Sequence, residues 1–209
     1  MQFAEIDARD SQLIQIVDAN MAEARHRAGP WLPCHLGCSQ CCYGPFPISQ
    51  LDARRLQRGL ADLESSDPER AKGLLVRARE YVARVCAEFP GDAATGILDD
   101  SDEGEQRFET FADREPCPAL DPETGGCELY SARPLTCRTF GAPMRNGEDL
   151  VVCELCFDGA TDADVERCAV DYDPDKIEDA LDDALASAGS GTGRTIVAFA
   201  LVQQQAAAV

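Results

Sequence analysis

The chain is short of positive charge, short of histidine and free of long apolar runs. Its 209 residues carry 19 Lys and Arg against 38 Asp and Glu, a formal net charge of -19. Such a surface repels phosphate backbones and disfavours nucleic acid as a partner. No stretch of about 18 apolar residues exists, so no membrane span is expected. The opening residues, MQFAEIDARD, lack the basic start and apolar stretch of a secretory leader, and the chain reads as cytoplasmic. Two histidines, His26 and His35, leave no compelling Ser-His-Asp or Cys-His set. No internal repeat is visible, and the strand–helix alternation of a parallel barrel is missing. GSGTGRT lacks the phosphate-loop pattern, with Ala188 at the first glycine position and Arg194 at the lysine position. It reads as a linker.

What the chain has is cysteine, eleven in all. In a cytoplasmic protein disulfides are rare, so metal binding or redox chemistry is the better reading. The thiols fall into groups. Cys34, Cys38, Cys41 and Cys42 crowd into PCHLGCSQCCYG; Cys117, Cys127 and Cys137 follow at intervals of ten; Cys153 and Cys156 form a C-x-x-C pair. Pro33, Gly37, Gly44, Pro116, Pro118, Gly125, Gly126 and Pro134 lie close by, and such residues let a loop wrap a point centre. Thiolates gathered on one point repel unless a cation holds them, which makes these nine the candidate metal ligands. Cys86 has apolar neighbours and reads as a buried, inert thiol. Cys168 stands apart.

The helical signals are plain. Leu13, Ile14, Ile16, Val17 and Met21 predict a helix over 8–28, stopped by Gly29-Pro30. Ser49 with Asp52 is a capping pattern for a helix to about 64, and Asp67-Pro68 opens another to about Phe89. Residues 91–115 read as an acidic connection. Residues 116–157, rich in Cys, Pro and Gly, need something besides a large core to fix them. Asp173 or Asp175 caps a last acidic helix to about Ala186, and RTIVAFALVQQQ is helix or strand. With 44% hydrophobic residues a core is affordable. The expected fold is mainly α: one domain, 1–209, with long loops around a cysteine-ligated core at 31–157. Helices at 49–89 are inserted in that core, and an acidic helical region follows at 158–209.

Half of the acidic residues lie in 99–115 and 158–183. They read as solvated surfaces, or as a docking face for a basic protein partner.

C-x3-C-x2-C, made by Cys34, Cys38 and Cys41, can hold three corners of a [4Fe–4S] cube, and Cys117-Pro118 matches the Cys-Pro ending of ferredoxin runs. Gln40 stands where S-adenosylmethionine radical enzymes usually carry an aromatic. Arg133 and Arg138 flank Cys137. They either form surface ion pairs or offset the charge of a tetrathiolate centre and bond its sulfurs, which makes them the candidate cofactor-binding residues. Trp31, Tyr43, Phe46 and Phe140 lie next to the cysteine motifs, either as ordinary core or as groups that dry the site. His35 is an alternative ligand. An iron–sulfur cluster is favoured over zinc, with metal ions as the partner. A count of nine ligands fits one centre or two.

These blocks, Cys34-x3-Cys38-x2-Cys41-Cys42, then CPAL at 117–120, CELY at 127–130 and RPLTCRTF at 133–140, resemble the CxxCxxCC family. Its pattern commonly has two residues between the first two cysteines; here there are three. The resemblance covers about 31–157 and implies chelation of zinc or iron, as in small bacterial cysteine-cluster proteins. Longer relatives, the flagellin lysine methylases, carry a similar cluster and modify protein with S-adenosylmethionine; nothing in this chain matches their substrate-binding part. Three functions stay open: an iron–sulfur protein, a structural zinc protein, or an iron–sulfur enzyme that modifies protein.

Overall fold

Helix starts and stops follow local chemistry. The computed structural model describes residues 1–35, 37–146, 149–153, 155–173 and 175–203. Helix α1 (Phe3–Ala28) closes at Gly29, whose φ is +54° and whose N–H donates to the Arg25 carbonyl. Helix α2 (Gln50–Ser66) opens at Ser49, whose hydroxyl accepts the Asp52 N–H. Helix α3 (Pro68–Val85) opens at Asp67, whose carboxylate accepts the Arg70 N–H, with Pro68 leading the helix.

At Cys86–Glu88 the α-helix gives way to a 3-10 turn. Cys86 lies about 100° around from the buried Val85, next to a Val82 that is itself only partly buried, at the edge of the apolar side. Cys86 is exposed, and its thiol donates to the Ala83 carbonyl at 3.7 Å. This corrects the expectation of a buried thiol.

The acidic stretch 91–115 is structured. Strands β1 (Gly91–Asp92) and β2 (Ile97–Leu98) form an antiparallel hairpin, and α4 (Asp102–Phe108) follows. The carboxylates of Asp92 and Asp99 accept the N–H groups of Ala94 and Ser101 and so fix the turns. Between these acids, Leu98 and Phe111 are buried with Phe89 and Phe199. The Phe89 and Phe111 rings meet edge-on at 5.7 Å.

Next come α5 (Leu135–Thr139), strands β3 (Met144–Asn146) and β4 (Asp149–Val151), paired antiparallel, and α6 (Asp162–Arg167) with a Thr161–Asp164 capping box. Helix α7 (Ile177–Ser187) has its first N–H groups, those of Ile177 and Glu178, bound by the Asp173 carboxylate. The apolar stretch after GSGTG is helical, α8 (Val197–Gln203); residues 204 and 205 of that stretch lie outside the described residues. Eight helices and two small hairpins among the described residues make the fold mainly α.

The chain divides into two compact units, and one boundary falls inside the cysteine motif. Met1–Leu36 with Leu135–Ala188 form one, called here the Cys34 unit. Gly37–Pro134 with Gly189–Val209 form the other, the Cys41 unit. In the Cys34 unit α1 packs on α5 and α7, burying Ile6, Leu13, Leu181 and Leu185. In the Cys41 unit α2, α3 and α8 pack together around Leu56, Leu60, Leu74, Ala78 and Leu201. Each such leucine contributes about 1.5–3 kcal/mol of burial.

Candidate metal centre

Of the eleven cysteines, the Cys41 unit contains Cys38, Cys41, Cys42, Cys86, Cys117 and Cys127. Three of its segments meet. The first is Gln40–Cys42, a 3-10 turn that sets Cys41 and Cys42 side by side. The second is joined to it by the Cys117 N–H, which donates to the Cys42 carbonyl at 2.7 Å beside an antiparallel bridge between Tyr43 and Pro116. The third is Cys127, bridged to Leu120 across a loop in which the Leu120 N–H donates to the Cys117 carbonyl. Cys117 and Cys127 both pack against the helical core. The loop 121–126 reaches Gly37, next to Cys38: an added Cβ on Gly125 would lie 3.4 Å from the Gly37 carbonyl oxygen.

Electrostatics in this group oppose bare thiolates. A hydrogen bond donated by the Cys41 thiol to Cys42, and then burial, hold that thiol far above its ordinary range, and the Arg133 charge pulls the other way. Burial raises Cys127, with Cys41 adding to it and Arg133 again opposing. Tyr81 is raised by burial and by the neighbouring Cys117. Arg133 therefore acts on two of the candidate ligands. Its guanidinium stacks on the Tyr130 ring at 3.7 Å, and its Nε donates to the Tyr130 carbonyl at 3.0 Å.

Two residues that sequence reading passed over hold these loops. Arg77, on α3, donates through Nε to the Pro118 carbonyl at 3.0 Å and pairs with the Glu128 carboxylate. Arg70 donates to the same carboxylate at 3.3 Å. Pro118 follows Cys117 and Glu128 follows Cys127, so one guanidinium ties both cysteine loops to one helix. The signal in the sequence was the spacing of Arg70 and Arg77, two turns apart on one face of α3.

The Cys34 unit contains Cys34, Cys137, Cys153, Cys156 and Cys168. Cys34 Sγ and Cys156 Sγ lie 3.7 Å apart. The Cys156 N–H donates to the Cys153 carbonyl at 2.9 Å, closing the C-x-x-C turn, and Phe157 follows with φ +61°. Burial, then Cys34, push the Cys156 thiol up to about 12, with Cys153 adding to the effect. Gly141 faces the pair with φ +101°; a Cβ there would sit 3.0 Å from Cys34 Sγ and 3.5 Å from Cys156 Sγ. The missing side chain is room for two sulfurs, and this glycine too went unnoticed in the sequence. Cys137 is half-buried on α5. Arg138, 8% exposed, donates through Nη1 to both carboxylate oxygens of Asp18, at 2.8 and 3.0 Å.

Trp31 packs in the apolar cluster of Cys156, whereas Tyr43 is half exposed. His35 is exposed with Nδ1 3.0 Å from the Pro33 carbonyl, and His26 is exposed on α1. Among the described residues no three His, Cys, Asp or Glu side chains converge as a finished metal site; the thiols meet in pairs. Neutral thiols gain only weak S–H contacts from closer approach, and a cation is what draws three or four thiolates together. Each unit offers sulfur donors, with Arg133 acting on those of the Cys41 unit and Gly141 set against those of the Cys34 unit, and such donors fit a thiophilic metal.

No curated protein and no solved structure matches the chain. The profile of the CxxCxxCC family, described as a "putative zinc- or iron-chelating domain", matches residues 33–157, a span that takes in every cysteine except Cys168. More than half of the chain is thus matched, and it belongs to the CxxCxxCC family.

Proposed function

We propose that the chain is a cytoplasmic iron–sulfur protein whose Cys41 unit holds the cluster on four of Cys38, Cys41, Cys42, Cys117 and Cys127. The carrying observation is the meeting of three cysteine segments in one unit, with the Cys117 N–H on the Cys42 carbonyl and Cys41 acting on Cys127. The Cys117-Pro118 step favours a cluster over zinc. When bound, a cluster supplies one-electron chemistry. Arg133 offsets its negative charge, Arg77 fixes the loops that present Cys117 and Cys127, and the helical core behind them keeps water from one side.

Elemental analysis with a visible spectrum, on protein purified without oxygen, tests this. Brown protein with iron and acid-labile sulfide is expected, and Cys41→Ala should lose both. Colourless protein with zinc alone would replace the cluster by a structural zinc centre.

A further inference from the structure

We propose that the Cys34 unit holds a second, separate centre: a single thiophilic divalent cation of the Zn²⁺ class on Cys34, Cys153, Cys156 and Cys168. The inference rests on the metal-binding reading above and adds a site and a ligand to it. Cys168 lies beyond the matched residues 33–157.

The residues come together by packing. Cys156 is 4% exposed and Cys168 is 0% exposed, and both belong to one apolar cluster with Ala28, Leu32 and Phe157. Cys34 and Cys153 pack against that cluster with Trp31. Its cysteines number four, the count a closed tetrahedral site requires. Cys153 and Cys156 provide the C-x-x-C pincer, on a closed turn. Cys34 already stands 3.7 Å from Cys156, with Gly141 leaving the space beside them clear. Cys168 is held at the end of α6 by its N–H to the Val165 carbonyl, at 3.0 Å. Four thiols in and against one apolar cluster suit zinc better than a hard cation. All four ligands belong to one unit, so the site needs nothing from the Cys41 unit.

The test equilibrates the oxygen-free full chain with Zn²⁺, removes excess metal, and measures zinc and iron per chain. Wild type should retain about one zinc. Cys156→Ser and Cys168→Ser should lower zinc retention about tenfold or more with iron unchanged. Cys41→Ser with Cys42→Ser should lower iron and leave zinc. Zinc unaffected by Cys156→Ser and Cys168→Ser overturns this inference while leaving the cluster reading intact. Zinc that follows those two variants in a chain without iron sinks the cluster reading and keeps this one. Because Cys168 is buried and its replacement can unfold the region, wild type supplies a second measurement. Zinc should protect Cys34 and Cys153 from alkylation, and chelation should release them. Alkylation of that pair indifferent to zinc overturns the proposal.

Discussion

The two units treat their sulfurs differently. In the Cys41 unit the thiols lie on the flank of a helical core built by α2, α3 and α8, with Cys117 and Cys127 against it. Arg77 ties their loops to α3. In the Cys34 unit Cys156 and Cys168 are themselves core residues of a small cluster, and the hydrophobic contact of α1 with α7 involves other side chains. One unit presents its candidate ligands from a frame that stands by itself. The other builds part of its frame from candidate ligands. Metal should therefore decorate the first and help to fold the second.

Four changes sharpen that contrast, in falling order of effect. Stripping metal with a chelator should loosen the backbone around Gly141 and Phe157 most. Metal binding in small thiolate sites is worth about 10 kcal/mol or more of folding energy. Amide hydrogen exchange should accelerate strongly there and little in α2 and α3; equal acceleration in both would erase the distinction. Next, Leu74→Ala opens a cavity at a fully buried position of α3 and should cost about 2–5 kcal/mol in denaturant unfolding, with metal content per folded chain retained. Arg77→Ala removes a hydrogen bond to Pro118 and a partner of the buried Glu128 carboxylate, a loss of about 1–3 kcal/mol. Metal should also be released from the Cys41 unit at lower chelator concentration. Cys86→Ala touches an exposed thiol and should change stability by less than about 0.5 kcal/mol, with metal content unchanged.

A pH series separates the metal-free from the loaded state. In the metal-free chain Cys156 is raised from 9.0 to about 12. The stability that this neutral thiol contributes is complete below pH 9 and is lost as pH rises toward 12. In the loaded chain the same sulfur is a thiolate, and protons compete with the metal, so loss should move to the acid side. Thermal melts at about pH 5, 7 and 11 should show the metal-free chain weakening toward pH 11 and the loaded chain toward pH 5; identical trends would deny Cys156 a ligand role.

Local chemistry made much of the fold legible. Ser49, Asp67, Gly29 and Asp173 are caps whose partners lie a few residues away, and each does in the structure what its sequence context implies. The candidate ligands were equally legible as a chemical type. Their division was not. Cys34 and Cys38 are four residues apart and belong to different units, while Cys34 meets Cys156 across more than a hundred residues. Long-range pairing leaves no periodic trace. Cys86 misled because its apolar neighbours read as one buried side, whereas it sits at the edge of that side, where α3 ends in a 3-10 turn. Residues 91–115 hid Leu98 and Phe111 among acids whose carboxylates serve the turns.

The place of α8 has a consequence for synthesis. The last cysteine of the Cys41 unit, Cys127, leaves the ribosome about seventy residues before Val197, the start of the helix packed on α2 and α3. At elongation speeds of ~5–20 residues per second that is a delay of roughly 4–14 seconds. Through it the apolar faces of α2 and α3 stay uncovered while all the thiols of that unit are already available. The nascent chain thus exposes those thiols and apolar faces until α8 arrives, and a supply of metal or a chaperone at that stage would matter more than one offered after α8 has packed.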